Sequence, residues 1–221
     1  MMKNDGLIYL LSPLAKEDTI HLPMIAFKLL PVTIDLSHCD VLMFTSKQAV
    51  RSADALNDEW KQYPCLAIGS ATAKEIESLG GEVLYQPESF YAKSLSEDIV
   101  TRFKDKNILY LRPKEVSFDS KTFLANAGIA LQEQIIYETS CVNYEKQQKP
   151  LKDAVIIFTS PSTVHCFLKS FEWDESYTAV LIGEATKKHL PSQARFEVAD
   201  KPLISACIKK AKQLLLTSNS K

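Results

Sequence analysis

Residues 40–50 read DVLMFTSKQAV and residues 153–164 read DAVIIFTSPSTV. Residues 67–74 read AIGSATAK and residues 181–188 read LIGEATKK. Thr45 and Thr159, Ser46 and Ser160, Gly69 and Gly183, and Thr72 and Thr186 are each 114 positions apart. Both copies keep 24 positions from the Thr of FTS to the Gly of IG. A register this constant marks two copies of one supersecondary unit.

Each copy has a physical logic. Val41–Phe44 and Val155–Phe158 are continuous apolar runs, which suit strands buried on both faces of a parallel sheet. The following Thr-Ser ends the strand and can cap a helix, because a hydroxyl accepts a bond from an orphan helix N–H. Ala49–Leu56 and Val164–Phe171 then read as helix, and Cys65–Ile68 and Ala179–Ile182 as strand. Gly69 and Gly183 are expected at a tight strand-to-helix turn, where a Cβ would obstruct the turn or a close ligand. A helical run is expected after each, with Thr72 and Thr186 in or beside its first turn. The hydroxyls and free N–H groups of both motifs therefore fall at carboxyl ends of parallel strands, the edge where open α/β sheets bind ligands.

Working outward, five strands are expected between the first FTS and Tyr137, at 41–45, 65–68, 82–85, 108–112 and 131–137. Three follow residue 150, at 154–159, 179–182 and 195–199, and the N-terminal stretch offers 7–12 and about 25–32. If the halves are equivalent, the second borrows the N-terminus. The expected fold is α/β, two small doubly wound parallel-sheet domains joined by a two-stranded β-ladder. One domain is discontinuous, 1–31 plus 142–221, and the other, 32–141, is inserted, with crossings near 29–36 and 136–146.

Composition narrows the function. The 221 residues carry 26 Lys+Arg against 27 Asp+Glu, a net charge of −1, so nothing draws the whole chain to nucleic acid or an anionic membrane. With 46% hydrophobic residues and only six glycines, disorder and collagen-like architectures fit poorly. No apolar run is long enough for a secretory signal or a membrane span. The five cysteines are odd in number and widely spaced, and are expected as free buried thiols in a reducing cytosol. No C-x-x-C or H-x-x-x-H pattern occurs, and no metal site is expected. The absence of G-x-G-x-x-G and of a P-loop argues against a nucleotide-dependent enzyme.

FTS at 44–46 followed by Ala49-Val50, AIG-x-x-TA at 67–73, ILYLR at 108–112, Gly128 at a helix end, Tyr137-x-Thr139, IIFTSPSTV at 156–164 and IGEAT at 182–186 form an ordered set. Over nearly the whole chain this set resembles the uroporphyrinogen-III synthase family. The resemblance implies two α/β domains joined by a β-ladder, with an active cleft between them. It implies a lyase that takes linear hydroxymethylbilane, a tetrapyrrole with eight carboxylates, in porphyrin (haem) biosynthesis. The bilane loses water to give an azafulvene, ring D attacks through its substituted carbon to form a spiro intermediate, and fragmentation and reclosure invert that ring. Because the bilane also closes spontaneously without inversion, positioning outweighs strong acid–base chemistry, and a weak proton donor suffices. The resemblance further implies no metal or organic cofactor and a cytoplasmic monomer without nucleic-acid or membrane partners. It leaves room for a transient hand-over of the bilane from the enzyme that forms it.

Site residues follow from the same resemblance. Tyr137 matches the family tyrosine and is expected to assist loss of the hydroxyl; the plain alternative is a packed aromatic with its hydroxyl at the surface. Thr72, Thr186, Ser46 and Ser160 are expected to contact substrate, or else only to cap helices. The amides of Gly69, Ser70 and Ala71, and of Gly183, Glu184 and Ala185, are expected to cradle acetate or propionate groups. Lys47 reads as a cleft cation or a solvated surface charge, Arg112 as a carboxylate clamp or a salt bridge, and Ser162 as a further hydroxyl or a cap. The chain departs from the family at Pro113, where a glycine is usual, and Lys114 is the candidate to replace a second basic residue. A rival function is a non-catalytic two-lobed module that binds a small anionic ligand. Tyr137 is the feature that favours catalysis over it.

Overall fold

The computed structural model describes residues 7–89 and 91–218; the first six residues of the domain expected over 1–31 lie outside them. In chain order the elements are β1 (Ile8–Leu10), β2 (Ile20–His21), β3 (Ile25–Leu29), β4 (Val41–Phe44), α1 (Lys47–Leu56), β5 (Pro64–Ala67), α2 (Ser70–Ser78), β6 (Glu82–Tyr85) and α3 (Ala92–Arg102). Then come β7 (Ile108–Pro113), α4 (Ser120–Asn126), β8 (Leu131–Cys141), β9 (Val155–Phe158), α5 (Pro161–Ser170), β10 (Thr178–Leu181), α6 (Glu184–Lys187), β11 (Arg195–Val198) and α7 (Ile204–Ser218). The architecture is α/β with two mostly parallel sheets, in the orders β11-β10-β9-β1-β2 and β3-β8-β7-β4-β5-β6. The chain divides into an inserted unit, Phe27–Thr139, and a split unit made of the stretches up to Ala26 and from Ser140. These divisions fall at 26/27 and 139/140, inside β3 and β8.

In the inserted unit, β4 is central and fully buried, with β7 and β5 parallel on its two sides. Its alternate residues face opposite ways, as the strand period demands. Leu42 and Phe44 pack with Ala49, Val50 and Ala53 of α1 and Ile76 of α2. Val41 and Met43 pack with Leu95 and Ile99 of α3 and Leu124 of α4. Helices on both faces explain why the β4 sequence shows no polar alternation. From β4 the chain steps to β5 and β6, then returns across β4 to β7 and β8. The direction of winding thus reverses between β4 and β7. Two glycines close helices here. Gly80 at φ +90° donates to Glu77 O while Gly81 donates to Ile76 O, and Gly128 at φ +77° donates to Ala125 O while Ile129 donates to Leu124 O. This is the paired bonding of a left-handed C-terminal cap.

The split unit repeats the plan. The strand β9 has β10 on one side and the N-terminal β1 on the other, all parallel, with Ile156 opposite both Ala179 and Tyr9. Ile156 and Phe158 pack on Val164 and Phe167 of α5. Val155 and Ile157 pack on Cys207 and Ala211 of α7. Here the winding reverses between β9 and β1.

Three features depart from expectation. Cys141, the last residue of β8, and Cys166 on α5 form a disulfide with Cα atoms 5.2 Å apart, whereas Cys39, Cys65 and Cys207 are free. Spacing could not show this pair, because the fold brings a strand end and a helix 25 residues away against one apolar cluster. The helical run expected after Gly183 is a single turn, Glu184–Lys187, with Pro191 four residues beyond it, shorter than α2 after Gly69. The two-residue β2 has no sequence signal, since both its side chains are exposed. Among the described residues no helix is long and apolar enough to cross a membrane.

Candidate functional site

In the inserted unit the reversal between β4 and β7 places Thr45 and Ser46 at the strand edge. Ser46 caps α1 with extended backbone, φ −161°, and its Oγ accepts the Ala49 N–H at 3.0 Å. The same Oγ lies 2.9 Å from the Tyr137 hydroxyl. Next to it Thr45 Oγ1 lies 2.7 Å from the hydroxyl of Tyr110. Tyr137 is only 4% exposed, its ring edge-on to Phe27 at 5.8 Å. Burial pushes its pKa above the usual tyrosine value and the Ser46 bond pulls the other way, so the group is a neutral phenol at physiological pH. Tyr110 is pushed further, to about 12, by burial. Lys47 is exposed at the first position of α1.

Arg112 faces inward. Its Nε lies 3.2 Å from Glu133 Oε1 in an ion pair, although off hydrogen-bond alignment, and its Nη1 donates to the carbonyls of Pro113 and Lys114. Lys114 is exposed and 3.6 Å from Glu138 Oε2.

The edge beyond β5 is built from backbone. Gly69 is the N-cap of α2 and no side chain caps that helix. Ser70 and Ala71 are exposed at its first two positions, where N–H groups have no partner within the helix. The Thr72 N–H is already used, bonding Gly69 O at 3.0 Å. The split unit matches this. Gly183 precedes α6 with no side-chain cap, Glu184 and Ala185 are exposed, and the Thr186 N–H bonds Gly183 O at 3.1 Å. Neither glycine is needed for its backbone: Gly69 at φ 177° and Gly183 at φ −175° are ordinary extended residues. A Cβ on Gly183 would meet nothing within 4 Å. The expected steric demand of the turn is therefore absent at Gly183, and what remains is open space.

Among the described residues seven polar ones are buried: Ser12, Ser52, Thr72, Ser96, Ser120, Thr163 and Thr186. Five have side-chain hydrogen bonds within the protein. Thr72, 4% exposed, and Thr186, 2% exposed, have none among the described residues. Among the described residues the fully buried, unpaired side-chain atoms are Ser89 Oγ, Arg112 Nε and Trp173 Nε1, so the Thr72 and Thr186 hydroxyls, at matching positions of the two units, are unpaired but reach the surface.

Ser160 differs from Ser46. Its Oγ accepts the Thr163 N–H, while Thr163 Oγ1 accepts the Ser160 N–H and donates to Ser160 O, a closed capping box. Ser162 is exposed in the first turn of α5. Sequence reasoning missed the Thr45–Tyr110 and Ser46–Tyr137 pairs, which join residues 65 and 91 positions apart. No local pattern signals either.

A family model described as Uroporphyrinogen-III synthase HemD matches residues 15–209. The chain is similar to a uroporphyrinogen-III synthetase from Helicobacter pylori of known crystal structure. The two are 28% identical with a TM-score of 0.81, over 95% of this chain and 99% of that one. It shares its fold with a mutant uroporphyrinogen III synthase from the extremely thermophilic bacterium Thermus thermophilus, at 12% identity and a TM-score of 0.60, over 96% and 99% of the chains. No curated protein matches the sequence.

Proposed function

The chain belongs to the uroporphyrinogen-III synthase family, and from that premise we propose how its two strand edges serve the reaction. The enzyme is a cyclising lyase that dehydrates hydroxymethylbilane and closes it to uroporphyrinogen III with ring D inverted, in haem biosynthesis. Its substrate is intrinsically reactive, so the protein's work is to hold one geometry.

The unpartnered hydroxyls of Thr72 and Thr186 carry the reading. Each donates to a substrate carboxylate, and the orphan amides of Ser70, Ala71, Glu184 and Ala185 complete the two cradles. The open space at Gly183 lets a carboxylate approach the backbone. Lys47, exposed at the start of α1, adds a cation near one cradle, and Ser162 adds a hydroxyl at the other edge. Arg112 supports the strand end through Glu133 and the carbonyls it already binds, and does not clamp substrate. Tyr137 is the acid: its buried neutral phenol gives a proton to the departing hydroxyl. The family context supports a cytoplasmic monomer. Because free bilane closes without inversion, direct hand-over from the bilane-forming enzyme would shorten its exposure.

The test supplies freshly generated hydroxymethylbilane and resolves the uroporphyrin isomers after oxidation. The enzyme yields isomer III; isomer I alone, at the uncatalysed rate, would reject the reading. Tyr137→Phe is expected to lower kcat with little change in KM, and unchanged turnover would remove the proton-donor role.

A further inference from the structure

The two FTS motifs look interchangeable in sequence, yet their serines are wired differently, and the cause is the third helical residue. In the split unit that residue is Thr163, whose hydroxyl closes a reciprocal box with Ser160. In the inserted unit it is Ala49, which has no side chain to return a bond. The Ser46 hydroxyl therefore keeps a free valence after accepting the Ala49 N–H, and that valence meets Tyr137 at 2.9 Å.

The direction of that hydrogen bond decides what the phenol can do. A serine hydroxyl has one proton and two lone pairs, and a phenol has one proton. If Tyr137 donated, Ser46 Oγ would accept twice and its own proton would have no acceptor among the described residues. If Ser46 donates, it accepts from Ala49 and gives its proton to the Tyr137 oxygen, and the proton without a protein acceptor is the phenol's; the 2.9 Å contact allows either donor, and only this one leaves Tyr137 able to act as an acid. The Tyr137 proton then remains for a ligand.

We propose that Ser46 is a positioning residue for the dehydration, donating its hydroxyl proton to the Tyr137 oxygen so that the phenol proton points at the leaving hydroxyl. The proposal rests on the reading of Tyr137 as the acid. In the step, the phenol proton passes to the hydroxyl oxygen of the bilane and the C–O bond breaks with its electron pair going to oxygen. Water leaves, and the pyrrole nitrogen lone pair forms the azafulvenium cation, which keeps its N–H proton. The Ser46 bond stabilises the phenolate left behind. The proton released when the closed ring regains aromaticity returns to Tyr137, so the cycle consumes nothing but the bilane and yields only water besides the product.

The test separates this role from helix capping by comparing substitutions that keep or lose each property. Ser46→Thr retains both the cap and the donor. Ser46→Asp retains the cap, since Asp caps as well as Ser, but an ionised carboxylate only accepts and would take the Tyr137 proton toward itself. With hydroxymethylbilane at saturation, Ser46→Thr should hold kcat within about threefold of the parent, whereas Ser46→Asp and Ser46→Ala should lose about tenfold or more. Ser46→Asp should unfold at the parent's denaturant midpoint. In the Tyr137→Phe background, Ser46→Ala should cause no further loss of kcat. If Tyr137→Phe is impaired but Ser46→Ala lowers kcat by the same factor in both backgrounds, the serine acts independently and the proposal is overturned while the tyrosine reading stands. A fully active Tyr137→Phe enzyme overturns both. A fully active Ser46→Asp enzyme overturns the donor role alone.

Discussion

Replacing Thr72 by Val separates a structural hydroxyl from a functional one. Val keeps the shape of Thr and nearly its helix propensity, and removes only the hydroxyl. Thr72 is 4% exposed and that hydroxyl has no partner among the described residues, so folding has nothing to lose. The denaturation midpoint should stay within about 0.5 kcal/mol of the parent. Thr163→Val is the contrast, because its hydroxyl donates to Ser160 O at 2.7 Å and completes a cap; it should lose about 1 kcal/mol. For the substrate the order inverts. A hydrogen bond to a charged carboxylate is worth about 1.5–3 kcal/mol, and at about 1.4 kcal/mol per decade its loss raises KM about 10- to 150-fold. A contact equally strong in bound substrate and transition state leaves kcat unchanged. Thr186→Val should behave in the same way. The assay is steady-state conversion of fresh hydroxymethylbilane, with isomer resolution, beside urea unfolding of the same preparations. A Thr72→Val enzyme that is destabilised as much as Thr163→Val and keeps its KM would refute the reasoning.

Other outcomes follow from single features. Converting Cys141 and Cys166 to Ser opens a loop with a separation of 25 residues, for which chain entropy predicts a loss of about 3.5 kcal/mol. Equal urea midpoints for the parent and the double variant would show that the bridge does not stabilise the fold. Gly183→Ala should be neutral or up to about 1 kcal/mol stabilising, since its extended backbone suits alanine and its Cβ meets open space, yet KM should rise. Gly80→Ala, at φ +90°, should instead lose about 1–2 kcal/mol, and unfolding curves that rank the two alike would contradict this. The fold should weaken at alkaline pH. Tyr110 is held near 12 against about 10 when unfolded, so its raised value supports the fold below pH 10. That support, about 2–3 kcal/mol, disappears as pH climbs through about 12, and midpoints flat across that window would be inconsistent with it.

Much of the architecture was legible because strands buried on both faces leave an unmistakable run of apolar residues. The strands expected at 41–45 and 154–159 emerge as β4 and β9 over the apolar runs Val41–Phe44 and Val155–Phe158, one residue shorter at one end and at both ends respectively. The serine caps were equally legible, since capping is local and Ser46 and Ser160 stand beside the helices they begin. Other features were hidden by sequence distance or by the lack of side-chain signal. The strand β2 has two exposed residues and exists because β1 offers it a parallel edge. The helix after Gly183 stops after one turn although its first residues resemble those after Gly69.

The cysteines show where compartment arguments end. Odd number and wide spacing spoke for free thiols, and three are free; the other two met because β8 delivers Cys141 to the face of α5.

Hydrophobic periodicity, cap residues and the repeated motifs determined by themselves that the chain is α/β, with the FTS and IG motifs at carboxyl strand ends. Those signals are local, and the residues that carry them act on neighbours a few positions away. Tertiary structure alone decided which hydroxyls are occupied. It joined Ser46 to Tyr137 across 91 positions, closed Ser160 on its own helix, and left the Thr72 and Thr186 hydroxyls without a partner among the described residues. A hydroxyl's role depends on what fills its two lone pairs and its one proton, and in a folded chain those partners come from strands far apart in sequence.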